Sequence, residues 1–225
     1  MPLSYVASNN PKHRLSSDSR RWILSPSRPN SSSWHHSRGM DGFGHGQVAS
    51  LTKNWQPACE TGDCDGRLQC NGLIGKPPAT LVQVALQGDK GKPNFYDVSL
   101  VDGYNLLVSI VTRPFSPKCT IRGCSKNLNN LCPQELQVVN KDGKVIACRS
   151  ACLAFDIDSF CCRNEYGTPE KCKPSVYSKI FKVKNACHCY YSYAFDMPPP
   201  LVNCASKVYV INLCPSAWGT DQASI

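Results

Sequence analysis

Fifteen cysteines dominate the reactive side chains of this 225-residue chain, and every one of them lies at or after Cys59. Thiols at this density either pair as disulfides or hold metal. The runs Cys119-x4-Cys124 and Cys148-x3-Cys152 and the adjacent Cys161-Cys162 do not repeat a C-x2-C knuckle, and His188 is the only histidine after Cys59. That spacing favours disulfides over zinc, so no metal and no cofactor are expected. Bridges of this kind form in an oxidising compartment. The odd count leaves at least one sulfur without a partner inside the chain.

Other chemistry is sparse. There is no Ser-His-Asp arrangement and no phosphate-cradling glycine loop, and His188, wedged between Cys187 and Cys189, reads as a loop residue rather than a base. His35-His36 and His45 stand in a polar, glycine-containing stretch and read as solvated. The net charge of +9 is spread along the chain, with seven basic against two acidic residues up to Ala58 and eighteen against fourteen beyond it. A modest excess of this kind favours anionic surfaces such as cell walls and membranes. It lacks the dense basic stripe of a nucleic-acid binder. No apolar run is long enough to be a transmembrane span.

The elements that would position any site are mostly strands. Thr80 to Leu86 is rich in β-formers, Phe95 to Leu100 alternates up to the Asp102-Gly103 turn, and Asn105 to Val111 resumes the pattern as an antiparallel partner. Lys207 to Leu213 holds the continuous run Val208-Tyr209-Val210-Ile211, typical of a strand inside a sheet. Between them, Pro133 to Leu136, Cys152 to Cys162 and Pro174 to Lys184 read as short helices tied down by the densest cysteines, with Val176, Ile180 and Phe181 on one face of the last.

The first 55 residues differ in character. Ser16-Ser17-Asp18-Ser19 and the run Ser25 to Ser33 are Ser- and Pro-rich, and no period of 2 or 3.6 is sustained. The segment therefore reads as a divergent, disordered leader, residues 1–55, ahead of a body at 56–225. Pro11-Lys12-His13-Arg14 interrupts any apolar core, so no signal peptide is visible.

Across the body, ordered motifs carry a family resemblance. Cys59-x-Thr61-Gly62-Asp63-Cys64-x-Gly66-x3-Cys70 resembles the second half of the thaumatin-family signature. The similarity continues through Pro77 to Leu81, Phe95 to Asn105, Cys132-Pro133-x-Glu135-Leu136, Ser150-Ala151-Cys152-x2-Phe155, Tyr166 to Pro169, Tyr177-Ser178-x2-Phe181-Lys182, Tyr191 to Asp196 and Leu213-Cys214-Pro215. It covers about Cys59 to Pro215. The resemblance, to the pathogenesis-related group 5 and osmotin-like proteins, implies a mainly β, flattened sandwich with a disulfide-rich insertion containing short helices. It also implies first strands drawn from the N-terminal quarter, which nothing in residues 1–55 resembles; without them, sheet faces and edges are expected to be left open.

The same resemblance implies the bridges Cys64–Cys70, Cys119–Cys204, Cys124–Cys187, Cys132–Cys148, Cys152–Cys161 and Cys162–Cys172. Cys59 and Cys214 match half-cystines whose partners belong upstream, and Cys189 has no counterpart, so these three are the expected unpaired sulfurs.

The working surface implied by the resemblance is an acidic cleft. Its acids fall at Asp97, Asp102 and Asp196, its usual glutamate position holds Gln83, and its arginine would belong to the leader region. A glycosidase needs one carboxylic acid and one carboxylate, and Gln83 cannot exchange a proton. Asp102, before Gly103, also fits a simple turn former. The expected function is thus a secreted, monomeric plant defence-type protein with antifungal and β-1,3-glucan-binding activity at the fungal cell surface, with Phe95, Tyr96 and Tyr104 as stacking platforms. The alternatives are a weak endo-β-1,3-glucanase or a truncated gene product without activity.

Overall fold

The computed structural model describes residues 4–6, 14–18, 21–25, 48–51, 57–62, 76–85, 94–124, 126–181, 190–197, 199–206 and 208–213. Thirteen strands and three short helices occur among them. In chain order the strands are β1 (Ser4–Val6), β2 (Arg14–Asp18), β3 (Arg21–Ser25), β4 (Val48–Leu51), β5 (Pro57–Cys59), β6 (Leu81–Ala85), β7 (Asn94–Ser99), β8 (Val108–Arg113), β9 (Arg122–Gly123), β10 (Gln137–Val139), β11 (Val145–Cys148), β12 (Val202–Cys204) and β13 (Val208–Leu213). One sheet runs β1-β6-β7-β12 and a second β2-β3-β13-β8-β9, while β4-β5 and β10-β11 form separate pairs.

The core lies where the two large sheets face each other. Period-two alternation turns Val82 and Val84 of β6 and Tyr96 and Val98 of β7 inward, against Val108 and Ile110 of β8 and Tyr209 and Ile211 of β13. The Tyr96 and Tyr209 rings meet edge to face at 5.7 Å, a favoured aromatic geometry. Burial of the Tyr209 hydroxyl is compensated by hydrogen bonds: it accepts from Asn94 Nδ2 at 2.7 Å and donates to the Cys204 carbonyl at 3.0 Å. The disulfide Cys119–Cys204 closes 85 residues of chain around this core.

Between β9 and β12 the chain forms small pieces that could not stand alone. Helices this short are marginal without tertiary support, and here α1 (Ala151–Phe155), α2 (Asp158–Cys161) and α3 (Val176–Phe181) receive it from bridges and caps. Ser150 Oγ accepts from Leu153 N–H to start α1, and Asp156 ends it in the left-handed region. Cys152–Cys161 and Cys162–Cys172 tie the helices and the following turn together, and Cys132–Cys148 joins a 3-10 turn to β11. Arg163 adds ion pairs to Asp156 and Asp158 at 2.8 and 3.1 Å. Half-buried Phe155, Phe160 and Tyr177 form an aromatic cluster behind them.

These four bridges join the cysteine pairs that the family resemblance implies. Cys124 is disulfide-bonded as well; Cys64, Cys70, Cys187, Cys189 and Cys214 lie outside the described residues, and of Cys59 only the backbone in β5 is described.

One expectation changes. The segment after the Asp102-Gly103 turn is not the partner of β7: β8 pairs with β13 and β9, while β7 pairs with β6 and β12. The turn carries the chain from one sheet to the other instead of folding a hairpin. Its geometry demands glycine, because Gly103 has φ +90° and a Cβ there would meet Pro78 Cβ at 2.5 Å and the Cys148 carbonyl at 2.6 Å. Residues 4–51 contribute the strands β1 to β4; β1 runs parallel to β6 and β3 pairs with β13. Short β-forming runs such as Trp22-Ile23-Leu24 are too brief to show a period yet long enough to satisfy an open sheet edge. On α3 Val176 is 65% exposed and its neighbour Tyr177 packs against the core; the side chains of Ile180 and Phe181, expected on one face with Val176, lie outside those described.

Candidate functional site

The site is built on the outward face of β6 and β7. Because strand side chains alternate, Tyr96 and Val98 point into the core and Asp97 and Phe95 to the other side. In the β6–β7 ladder Gln83 stands opposite Asp97, and in the β7–β12 ladder Asn203 stands opposite Phe95. With its amide nitrogen turned to the carboxylate, Gln83 donates to Asp97 Oδ1 at 2.9 Å and Oδ2 at 3.3 Å.

Asp97 is only 4% exposed. Burial raises its carboxyl to about 7, and the nearby Arg122 guanidinium partly opposes that rise. Arg122 comes from β9 and donates from Nε to the Pro200 carbonyl at 2.6 Å. Tyr191 joins the same group: its backbone N–H bonds to the Val98 carbonyl and its carbonyl accepts from Leu100 N–H, both at 2.8 Å. Its phenol is raised chiefly by burial and then by the charges of Asp97 and Asp196.

Asp196 lies beyond Tyr191, 2% exposed, and its Oδ2 accepts from the Ser192 N–H at 2.9 Å and hydroxyl at 2.8 Å. It closes its own turn while contributing negative charge to the Tyr191 side of the site. Asp102 sits in the turn after β7, where its backbone carbonyl accepts from Ala79 N–H at 3.1 Å. Its carboxyl is raised by burial alone. Of the three aspartates, Asp97 and Asp196 therefore flank one tyrosine, and Asp102 belongs to the turn.

The model of the thaumatin family matches residues 28–215. The chain belongs to the thaumatin family. It is 49% identical over 158 residues to a thaumatin-like protein of Arabidopsis thaliana, covering 70% of this chain and 63% of that one. It is 45% identical over 168 residues to thaumatin-like protein 1 of Pyrus pyrifolia, covering 74% and 68%, and 48% identical over 157 residues to pathogenesis-related protein 5 of Arabidopsis thaliana, covering 70% and 63%. The chain thus spans about two-thirds of the length of these curated relatives. The family match also begins upstream of Cys59, inside the segment that the motifs leave unmatched.

On this thaumatin-family frame, two of the three stacking candidates are excluded. Tyr96 is 0% and Tyr104 1% exposed; Tyr96 donates its hydroxyl to the Thr120 carbonyl at 2.6 Å, and Tyr104 belongs to the core. Neither ring can lie against a sugar. Half-buried Phe95 shares the Asp97 face and keeps that possibility. Strand alternation separates Phe95 from Tyr96 in the sequence itself, since only residues of the same parity as Asp97 share its face.

Motif reading missed two residues, Arg122 and Tyr191, as members of this group. Arg122 comes from β9, which pairs with β8 in the other large sheet, and nothing local in the sequence marks it. Tyr191 stands five residues before Asp196 in a motif that was recognised, but its bridge to Ser99 is a tertiary contact. Chemically, the group offers one titratable carboxyl, an amide, a guanidinium and a phenol, a set suited to hydrogen-bonding hydroxyls.

Proposed function

We propose that this thaumatin-family chain is a plant defence-type protein that binds β-1,3-glucan of the fungal cell surface through the Asp97 face and does not hydrolyse it. The observation that carries this reading is the Gln83 amide on the Asp97 carboxyl. Glycoside hydrolysis needs an acid and a second carboxylate acting across the bond. At the residue facing Asp97 the chain offers an amide, which binds hydroxyls but cannot take or give a proton. The name of one relative, pathogenesis-related protein 5, supports the defence role, and the disulfides support a secreted protein. No helix among the described residues is long and apolar enough to cross a membrane. Residues 56–225, acting as a monomer, would form the binding unit.

A weak endo-β-1,3-glucanase is the second reading. It draws support from the raised carboxyl of Asp97, which resembles that of a general acid. One pair of assays separates the two: retention on insoluble β-1,3-glucan and release of reducing ends, for the parent and Asp97→Asn. Retention by the parent, lost in Asp97→Asn, without reducing ends from either, is expected. Turnover by the parent that disappears in Asp97→Asn would establish the enzyme instead, and absence of retention by the parent would refute the glucan reading.

A further inference from the structure

Strand β7 changes its edge partner at Asp97. Residues 94–96 are laddered to β12, whereas beyond Asp97 the Tyr191 N–H bonds to the Val98 carbonyl and the Leu100 N–H to the Tyr191 carbonyl. Both partners lie along one edge, because β6 occupies the other. Asp97 stands at the break between them, and the outward face of the sheet opens as it passes that break. Ser99 and Asp97 are buried toward the Tyr191 side. Phe95 is half-buried, and Asn203, its opposite on β12, is exposed.

The neighbours of Asn203 set its direction. Val202 and Cys204 turn into the core, so alternation sends Asn203 out between them, onto the face that carries Phe95 and Asp97. Directly opposed side chains have Cβ atoms about 4.5–5.5 Å apart, and two residues along a strand span roughly 6.6 Å. The Phe95 ring thus has one amide beside it across the ladder and the Gln83–Asp97 pair next along the face. Both ends of β12 are held: the Pro200 carbonyl accepts from Arg122 Nε at 2.6 Å, and Cys204 is bridged to Cys119. An amide carried on a fixed strand meets a ligand at a reduced ordering cost.

An aromatic ring flanked by amides suits a ligand with an apolar face and a polar edge. A pyranose has that form, since its C–H face stacks on an aromatic ring while its equatorial hydroxyls radiate from the rim. We propose that Phe95 and Asn203 form an outer saccharide subsite, continuous with the Gln83–Asp97 pair, in which the Asn203 amide donates to and accepts from hydroxyls of a pyranose stacked on Phe95. The ligand class rests on the glucan-binding reading, whereas the place of the subsite rests on strand register. A bound chain then runs from the break at Asp97 toward the β12 edge.

The test follows the side-chain amide signals of the nitrogen-15-labelled full chain by NMR as laminarihexaose (β-1,3-linked glucose), cellohexaose (β-1,4-linked glucose) or mannohexaose is added. Asn203→Ala identifies the Asn203 signals by their loss. Laminarihexaose should shift them, and its affinity should fall roughly fivefold in Asn203→Ala. The unfolding midpoint of the variant should stay near that of the parent, because the side chain is exposed. Asn203→Ser provides a second variant should Asn203→Ala fail to fold. Laminarihexaose that shifts the Gln83 amide but not that of Asn203 would overturn the subsite and leave the glucan reading standing. A shift at Asn203 with cellohexaose or mannohexaose, where laminarihexaose has no effect, would refute the glucan reading and support the subsite. No shift at Asn203 with any of the three, or unaltered affinity in both variants, would overturn the proposal.

Discussion

Gln83 and Asp97 are directly opposed in adjacent antiparallel strands, with the amide nitrogen 2.9 Å from the nearer carboxylate oxygen. A neutral donor satisfies the carboxylate geometrically but leaves the cost of burying its charge largely uncompensated. That combination makes Asp97 the most informative titrating group of the site, and it has consequences for stability as well as binding.

The first concerns pH and stability. Asp97 is raised from 3.8 to about 7 in the folded protein, so the native state holds this proton more tightly than the unfolded chain. The associated stability is fully present below about pH 3.8 and is lost as pH rises through about 7. Asp97→Asn carries no such proton and should not show this loss. Between about pH 5 and about pH 8 the stability of the parent relative to Asp97→Asn should fall by an amount on the order of 2–3 kcal/mol. Urea midpoints of both proteins at the two pH values provide the check; parallel changes would show that Asp97 is not the group responsible.

Gln83→Glu converts the amide–carboxylate pair into two facing carboxyls. Like charges this close cannot both ionise freely, so the pair should titrate in two steps pushed apart, sharing one proton between them. The variant should be less stable than the parent at about pH 8 and close to it at about pH 4. If a second carboxylate is what hydrolysis lacks, reducing ends should appear from β-1,3-glucan in the intermediate window, where one group is protonated and its neighbour is not. A bell-shaped pH profile of release would show this. No release at any pH, with the fold intact, would remove the support for a latent glucanase.

How much of this was legible beforehand depended on whether the signal was local. β6, β7 and β13 each carry their own alternation or β-branched run, and they appear within a residue or two of the expected segments. The partner of β8 was misread because adjacency in the chain suggested a hairpin, whereas the choice between β7 and β13 is made by burial of Val108 and Ile110 in the shared core. Tyr96 and Tyr104 were selected by residue type without regard to strand parity, which Asp97 itself supplies. Arg122 had no local signal, because 24 residues lie between it and Asp97 and the two stand in different sheets. The pairs Cys132–Cys148 and Cys162–Cys172 came from the order of family motifs; cysteine spacing alone leaves the connectivity open.

Strand parity makes a pair of adjacent aromatic residues separable by experiment. Phe95→Ala should weaken retention on insoluble β-1,3-glucan several-fold with a modest stability loss, because the half-buried ring lies on the Asp97 face. Tyr96→Phe should do the reverse. It removes the hydroxyl given to the Thr120 carbonyl at 2.6 Å and should cost about 1–2 kcal/mol in denaturant melts. Its binding, measured where it remains folded, should stay close to that of the parent. Retention lost in Tyr96→Phe but kept in Phe95→Ala would place the ligand on the wrong face for the present reading.

The bridges should differ in value according to the chain they close. Cys119–Cys204 spans 85 residues and Cys152–Cys161 only 9. Loop-closure entropy in the unfolded state then assigns about 4–5 kcal/mol to the first and about 2–3 kcal/mol to the second. Alanine is the better replacement at Cys119 and Cys204, since both are buried and a serine hydroxyl there would go unpartnered. The long bridge joins the segment before β9 to β12, the same two pieces that Arg122 holds through Pro200. Its removal should therefore lower both the unfolding midpoint and glucan retention, while Cys152→Ala/Cys161→Ala should loosen the helical insertion and leave retention nearly intact. Thermal melts and retention assays on the two double variants test the ranking; equal losses in both properties would mean that the insertion and the Asp97 face are not mechanically separate.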